Sequence, residues 1–446
     1  MTIDITGRSA SAIAADLRER IERGELPPGT LLPSVRAVAG DLGVNRNTVV
    51  AAYRQLAQAG LVEARGRSGT RVADRTAVAQ EGYAPDTVLR DVGTGNPDPA
   101  LIPDPTAALA RSARPVLYGE PVIDPGLEAW ARGWMSDHLP HDDLLITVTS
   151  GASDAIERLL AQALQRDDAV ALEDPCFLSA LHTVRTGGYR AVPVAVDAEG
   201  MTVDGLRAAL DAGVRAVICT PRAHNPTGAS LSAERAAALR DVLAEHPYVL
   251  VIEDDHFSLL SHAPLHSVIG PAQRRWARIR SMSKFLGPDT CLAVTASDPD
   301  TADGLAVRLT PGTTWVSHIL QRMTLALVTD DAVRAGIEAA AEHYAARNAA
   351  FAAALTERGL PVSPGDGLNL WVPLPVPAAV VREELMRRGW LVREGDPFFL
   401  SPDPAGAFLR LTVHDLDETS AEALADDLAR AAGVLRGSGG SGRIDA

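Results

Sequence analysis

Of the 42 basic residues in this 446-residue chain, 41 are Arg and one, Lys284, is Lys. The two side chains are not interchangeable. A guanidinium stays protonated, whereas a desolvated amine can lose its proton and add to a carbonyl to give a Schiff base. A lone Lys in a chain that meets every other need for positive charge with Arg is therefore a candidate nucleophile, and a stray surface lysine is the competing reading. Its neighbours favour chemistry, since Arg280-Ser281-Met282-Ser283-Lys284 sets two hydroxyls beside the amine. Three other polar clusters follow β-rich runs. Thr149-Ser150-Gly151-Ala152-Ser153 precedes a helical run from Ala155 to Leu164, where backbone N–H groups and the Ser153 hydroxyl can cradle a phosphate. Asn225-Pro226-Thr227-Gly228 is a turn able to present an amide to a ligand oxygen. In Glu253-Asp254-Asp255, a carboxylate would be costly to bury without a cation such as a pyridinium.

Taken singly, these are a helix start, a turn and a strand end. Taken together, an anion seat, an amide, a carboxylate and an amine are what pyridoxal phosphate requires. After Asp91, short β-rich runs alternate with Ala-rich helices, which predicts an α/β unit with a mainly parallel sheet covered on both faces. The predicted strands are Ala169-Leu172, Ala216-Cys219, Val249-Ile252 and Leu292-Thr295, with ligands beyond their carboxyl ends.

Ahead of this unit lies a different pattern. Ile13, Leu17 and Ile21 recur every four residues in a helix ending at Gly24; Ser34 caps a second helix with Val35, Val38 and Leu42; and Asn45 caps a third with Val49, Tyr53 and Leu56. The Gly43-Val44 turn between the last two predicts a helix-turn-helix, and Leu61 to Arg65 with Thr70 to Ala73 predict a hairpin wing. The third helix would present Asn45, Arg46, Asn47 and Thr48 to the major groove. Arg46 is the candidate for reading guanine, while Arg36, Arg65 and Arg67 suit phosphates. Residues 1–75 hold eleven Arg against eight acidic residues, although the whole chain carries a net charge of -15. A localised basic head on an acidic body excludes nucleic-acid binding over the entire surface.

The string Leu31-Leu32-Pro33-Ser34-Val35-Arg36, then Gly43-Val44-Asn45-Arg46-Asn47-Thr48-Val49 and Tyr53-Arg54-Gln55-Leu56, resembles the winged-helix head of the GntR regulators. The later clusters resemble, in order and spacing, the fold-type I aminotransferases, and the combination resembles the MocR subfamily. The resemblance implies a multidomain chain: a winged helix-turn-helix (α+β) at 1–73, a linker at 74–90, an aminotransferase-like α/β body at 91–436 with a smaller α+β subdomain from about 335, and a flexible tail at 437–446. It implies that Gly151, Ala152, Ser153 and Ser281 bind the cofactor's phosphate, Phe177 stacks on its ring, Asn225 meets its hydroxyl and Asp254 keeps its nitrogen protonated. Lys284 would form the internal aldimine, Tyr118 would reach the phosphate of a partner subunit in a homodimer, domain-swapped or not, and Arg410 would clamp an effector carboxylate. Two positions depart from the pattern. Cys291 stands where the family has a phosphate-binding Arg, and His256 where a Tyr supports the ring hydroxyl.

The expected function is transcription regulation at a double-stranded DNA operator, with pyridoxal phosphate or an amino compound as the effector. A working aminotransferase with a tethered head and a regulator that has lost the cofactor are the alternatives. The composition, 46% hydrophobic and 22% charged, is that of a globular protein. No apolar run approaches the ~20 residues of a membrane span, and Met1-Thr2-Ile3-Asp4 is unlike a signal peptide, so a cytoplasmic location is expected. Cys176, Cys219 and Cys291 are too few and too far apart for a disulfide framework or a metal cluster.

Overall fold

The computed structural model describes residues 5–58, 61–64, 69–72, 82–84, 87–137, 139–310, 314–400 and 406–434. Two compact units divide the chain, Met1–Ala79 with Val184–Arg190, and Gln80–Thr183 with Ala191–Ala446.

In the first unit the helices are Ala10–Glu22, Val35–Leu42 and Arg46–Gln58. Ser34 accepts from the Ala37 N–H, and Gly43 ends the second helix in the left-handed region at φ 62°, where a side chain would be strained. Ile13, Leu17, Val38, Val49 and Leu56 close one apolar core with Leu61 and Val72 of the wing. The Tyr53 hydroxyl donates to Pro33 O at 2.7 Å and so pins the third helix to the entry of the second. The wing strands Val62–Ala64 and Thr70–Val72 pair antiparallel. A feature absent from the sequence reading is the run after Pro28. Leu32 N donates to Thr70 O and Val72 N to Thr30 O, so this segment adds an edge to the wing instead of only breaking the chain.

The second unit is built on an eight-stranded sheet in the order Leu145–Thr149, Ala293–Ser297, Trp276–Ser281, Leu250–Asp255, Ala216–Cys219, Ala169–Asp174, Arg190–Asp197, Gly200–Met201. The central strands from Trp276–Ser281 to Ala169–Asp174 are parallel. Ala293–Ser297 runs antiparallel to both neighbours. It therefore brings its amino end, with Cys291 just before it, to the edge where the parallel strands bring their carboxyl ends. Glu253, Asp254 and Asp255 lie within their strand, not after it as the sequence reading had them.

The smaller C-terminal layer has an antiparallel sheet of Leu370–Pro373, Phe408–Leu411 and Arg393–Glu394, packed against the helices Asp331–Glu357, Ala378–Arg387 and Glu418–Ala431. Val92 belongs to its core, because Arg90–Asp91 pairs in parallel with Trp390–Leu391. Arg90, assigned to the linker from sequence, is thus already inside the body. No helix among the described residues is long and apolar enough to cross a membrane.

Candidate functional site

Side chains alternate along a strand, so Glu253 and Asp255 share one face and Asp254 takes the other. The parallel neighbour places Arg278 opposite Glu253 and Arg280 opposite Asp255. Arg278 Nε donates to Glu253 at 2.8 Å, and Glu253 also accepts from Ser267 Oγ and Val268 N. Asp255 accepts from Arg280 Nε at 2.9 Å and from Arg222 Nε and Nη2 at 2.8 and 2.9 Å. Burial alone would raise the Asp255 pKa, but the two guanidiniums outweigh it and hold the group below its ordinary value.

Asp254 has no such neighbours. It is buried, Oδ1 lacks a hydrogen-bond partner among the described residues, and burial, reinforced by the Asp255 charge, pushes its pKa up to about 7. The strand's alternation puts it on the side of His256, which lines a cleft together with His224, Asn225, Lys284, Asp366 and Asn369. A second buried carboxyl, Glu173, is pushed up to about 8 by its burial, with Asp254 contributing. It lies 3.4 Å from the His224 ring, which burial brings down to about 3. Both shifts favour uncharged forms, so this contact is a neutral pair and not a salt bridge.

Lys284 follows the strand Trp276–Ser281 and enters the cleft, where its Nζ donates to Gly95 O at 3.2 Å. The helix Ala152–Ala163 starts at Gly151, which has φ 91° and supplies no side-chain cap, so its first N–H groups are available to an anion. Ser153 Oγ lies 2.6 Å from Ser179 Oγ, and Ser281 Oγ accepts from Ser283 N at 3.2 Å. Cys291 is beside this seat: its thiol donates to Ser150 O at 3.5 Å, and a Cβ on Gly151 would come within 3.8 Å of the sulfur. Arg158 is close in sequence, yet it is already used by Asp154 and Arg308 O. The seat thus offers dipoles and hydroxyls.

Phe177 and His256 hold their rings parallel within 5°, with centroids 6.3 Å apart. Asn225 accepts from Arg410 Nη1 at 3.3 Å; Arg410 also donates to Gly93 O at 2.8 Å and lies 4.9 Å over the Phe398 ring, fully buried. Tyr118 stands apart, 88% exposed, against Trp315. In the head, Arg36, Asn45, Arg46 and Asn47 are exposed and Thr48 is half-buried. Asn45 Oδ1 accepts from Asn47 N at 2.8 Å, so that oxygen serves the helix start. Val50, one turn beyond Arg46, is an apolar residue left 49% exposed. Arg65 and Arg67 lie outside the described residues.

These groups fit pyridoxal phosphate. The buried carboxylate oxygen lacking a donor suits a protonated ring nitrogen, the amine suits the aldehyde, and the uncapped helix suits the phosphate. The Arg222, Arg278 and Arg280 network, Glu173 and Gly95 were missed from sequence, because only strand register reveals them.

The bacterial regulatory proteins of the gntR family match residues 9–72, and aminotransferase class I and II matches residues 103–428. The vitamin B6 salvage pathway transcriptional repressor PtsJ of Salmonella typhimurium is 47% identical over 429 residues, covering 96% of this chain and 99% of that protein. The transcriptional regulator TauR of Rhodobacter capsulatus is 30% identical over 94% of each chain. The kynurenine aminotransferase of Pyrococcus horikoshii, solved with PMP, shares the fold with a TM-score of 0.70 at 20% identity, over 81% of this chain and 96% of that one. Pyridoxal phosphate is the cofactor of aminotransferase bodies of this class. The chain belongs to the MocR-type regulators, in which a gntR-family DNA-binding head is joined to a body of the aminotransferase class I and II family.

Proposed function

We propose that this chain is a transcriptional regulator of vitamin B6 metabolism whose body takes up pyridoxal phosphate at Lys284 and whose head reads an operator accordingly. The observation that carries the reading is Asp254, a buried carboxylate with an unmet oxygen, held beside a cleft that contains the chain's sole lysine. A relative of 47% identity named as a vitamin B6 salvage repressor supports the choice of pathway. When bound, pyridoxal phosphate supplies an aldehyde for amines and an electron-withdrawing ring. Lys284 holds the aldehyde carbon, Asp254 keeps the ring nitrogen protonated, Asn225 and His256 meet the ring hydroxyl, and Phe177 covers a face. Gly151, Ala152, Ser153 and Ser281 receive the phosphate. Arg410 meets the carboxylate of an amino compound, and the exposed Tyr118 serves a second copy of the chain in a homodimer. In the head, Arg46 reads bases with Asn47 and Thr48 beside it, while Arg36 holds phosphate.

Cys291 favours a sensor over a permanently loaded enzyme. A charge-assisted phosphate contact is worth on the order of 1.5–3 kcal/mol, and its absence makes occupancy follow cofactor supply. The test is the visible absorbance of purified protein titrated with pyridoxal phosphate. A saturable band in the native chain that is lost in Lys284→Ala is expected; no band in the native chain would refute cofactor uptake.

A further inference from the structure

Lys284, which lines the cleft, and the buried Arg410 both bind one short piece of backbone, and that piece is where the chain arrives from the head. Residues Val92–Gly95 are buried. Gly93 O accepts from Arg410 Nη2 at 2.8 Å and from Arg393 Nε at 3.0 Å. Gly95 O accepts from Lys284 Nζ at 3.2 Å, and Gly95 N donates to Thr412 Oγ1 at 2.9 Å. Between these two carbonyls, Thr94 O accepts from Gly82 N at 2.8 Å, and the Asp91 carboxylate accepts from Ala84 N at 2.9 Å. Gly82 and Ala84 open the second unit, just past its boundary with the first at Ala79 in sequence. That opening stretch is therefore fastened to the same five residues that the cofactor lysine and the clamp arginine hold.

We propose that Asp91–Gly95 is the strap through which occupancy of the cleft reaches the DNA-binding head, by loosening the hold of Thr94 on Gly82. The proposal rests on the reading of Lys284 as the cofactor lysine. The reason is donor count. As a free ammonium, Lys284 has three hydrogens to share. Condensation of that ammonium with an aldehyde forms a C=N bond and releases one water, leaving at most one hydrogen on nitrogen, so the bond to Gly95 O competes with the new partner. A carboxylate arriving at Arg410 competes for the same arm that holds Gly93 O. Either event removes a donor from a buried carbonyl, and a buried carbonyl seeks a replacement. Glycine is required at both ends of this piece: Gly95 occupies the left-handed region at φ 66°, and Gly93 approaches the Arg393 backbone so closely that a Cβ would come within 2.9 Å of Arg393 N. The bonds at 82–84 are the ones that yield, because they are short local ties and not part of a helix or sheet.

The experiment uses the full chain and two variants that leave Lys284 and Arg410 in place. Gly82→Pro deletes the N–H given to Thr94 and, because Gly82 sits at φ 106°, also rebuilds that turn; Thr412→Val deletes the hydroxyl that accepts from Gly95 and donates to Asn369. For each, absorbance titration with pyridoxal phosphate is compared with affinity for a duplex taken from DNA upstream of the chain's own reading frame, with and without pyridoxal phosphate. In the native chain the cofactor is expected to change DNA affinity by about 5- to 150-fold, the usual range of allosteric coupling. Both variants should bind the cofactor within about twofold of native while the DNA response shrinks to less than about a third of the native factor. Amide exchange at Gly82 and Gly95 of the native chain should speed up on cofactor binding. A full DNA response in variants that retain the absorbance band, or unchanged exchange at both amides, overturns the strap alone. No band in the native chain overturns the cofactor reading and the strap together.

Discussion

The face of the strand Leu250–Asp255 that carries Glu253 and Asp255 is neutralised at each carboxylate by a guanidinium, whereas on the other face Asp254 Oδ1 has no hydrogen-bond partner among the described residues. Three consecutive acids are thus divided by strand geometry into two paired across the sheet and one whose Oδ1 is unpaired among the described residues. The division teaches that neither the presence of a buried charge nor its motif marks a site; what marks it is a buried charge whose counter-ion the fold withholds. Arg280 is likewise consumed by Asp255 and the Trp134 carbonyl, whereas Lys284 donates to the Gly95 carbonyl.

The largest effect should come from breaking the paired face. Arg278→Met leaves Glu253 with Ser267 and Val268 alone and should cost about 3–5 kcal/mol, the usual penalty for stranding one member of a buried pair. Urea unfolding followed by near-ultraviolet circular dichroism measures it, and an unshifted midpoint would show that Glu253 does not need its cation.

Next comes the unpaired face. A carboxyl whose pKa rises from 3.8 to about 7 on folding contributes its full stability below pH ~4 and loses it as pH rises through ~7, because the folded chain binds that proton more tightly than the unfolded one. Cofactor-free protein should therefore weaken across that window, with Glu173 extending the loss toward pH 8. Asp254→Asn should remove the carboxyl's share, on the order of 2–4 kcal/mol at pH 8, while abolishing tight cofactor binding. If thermal melts of the two proteins show the same pH slope, Asp254 is not the group that titrates.

Smaller still, Cys291→Arg should supply the seat with the cation it lacks and tighten pyridoxal phosphate by about ten- to hundredfold, leaving unphosphorylated pyridoxal unchanged. Equal gains for both vitamers would place Cys291 away from the phosphate. In the head, Arg46→Ala should cost about 1–3 kcal/mol on a preferred duplex and little on random DNA. An equal loss on both would make Arg46 a phosphate contact.

Much of this was legible from residues alone. The three head helices came from apolar spacing and from Ser34, Gly43 and Asn45, which act within four residues of themselves. The chemistry of the cleft came from residue types that few other roles require, Lys284 above all. What stayed hidden depends on long-range register. Nothing near Asp254 in sequence says that Arg278 and Arg280 will sit opposite its neighbours, or that Ala293–Ser297 will run against the sheet and carry Cys291 to the anion seat. The bonds of Gly93 and Gly95 span 317 and 189 positions to Arg410 and Lys284, beyond the reach of any local pattern.

The most direct test of the account is the DNA affinity of the native chain and of Lys284→Ala, each titrated with pyridoxal phosphate at fixed ionic strength. The account predicts a cofactor-dependent shift in the native chain and none in the variant, whose affinity stays at one value with or without the cofactor. An undiminished shift in Lys284→Ala would contradict it.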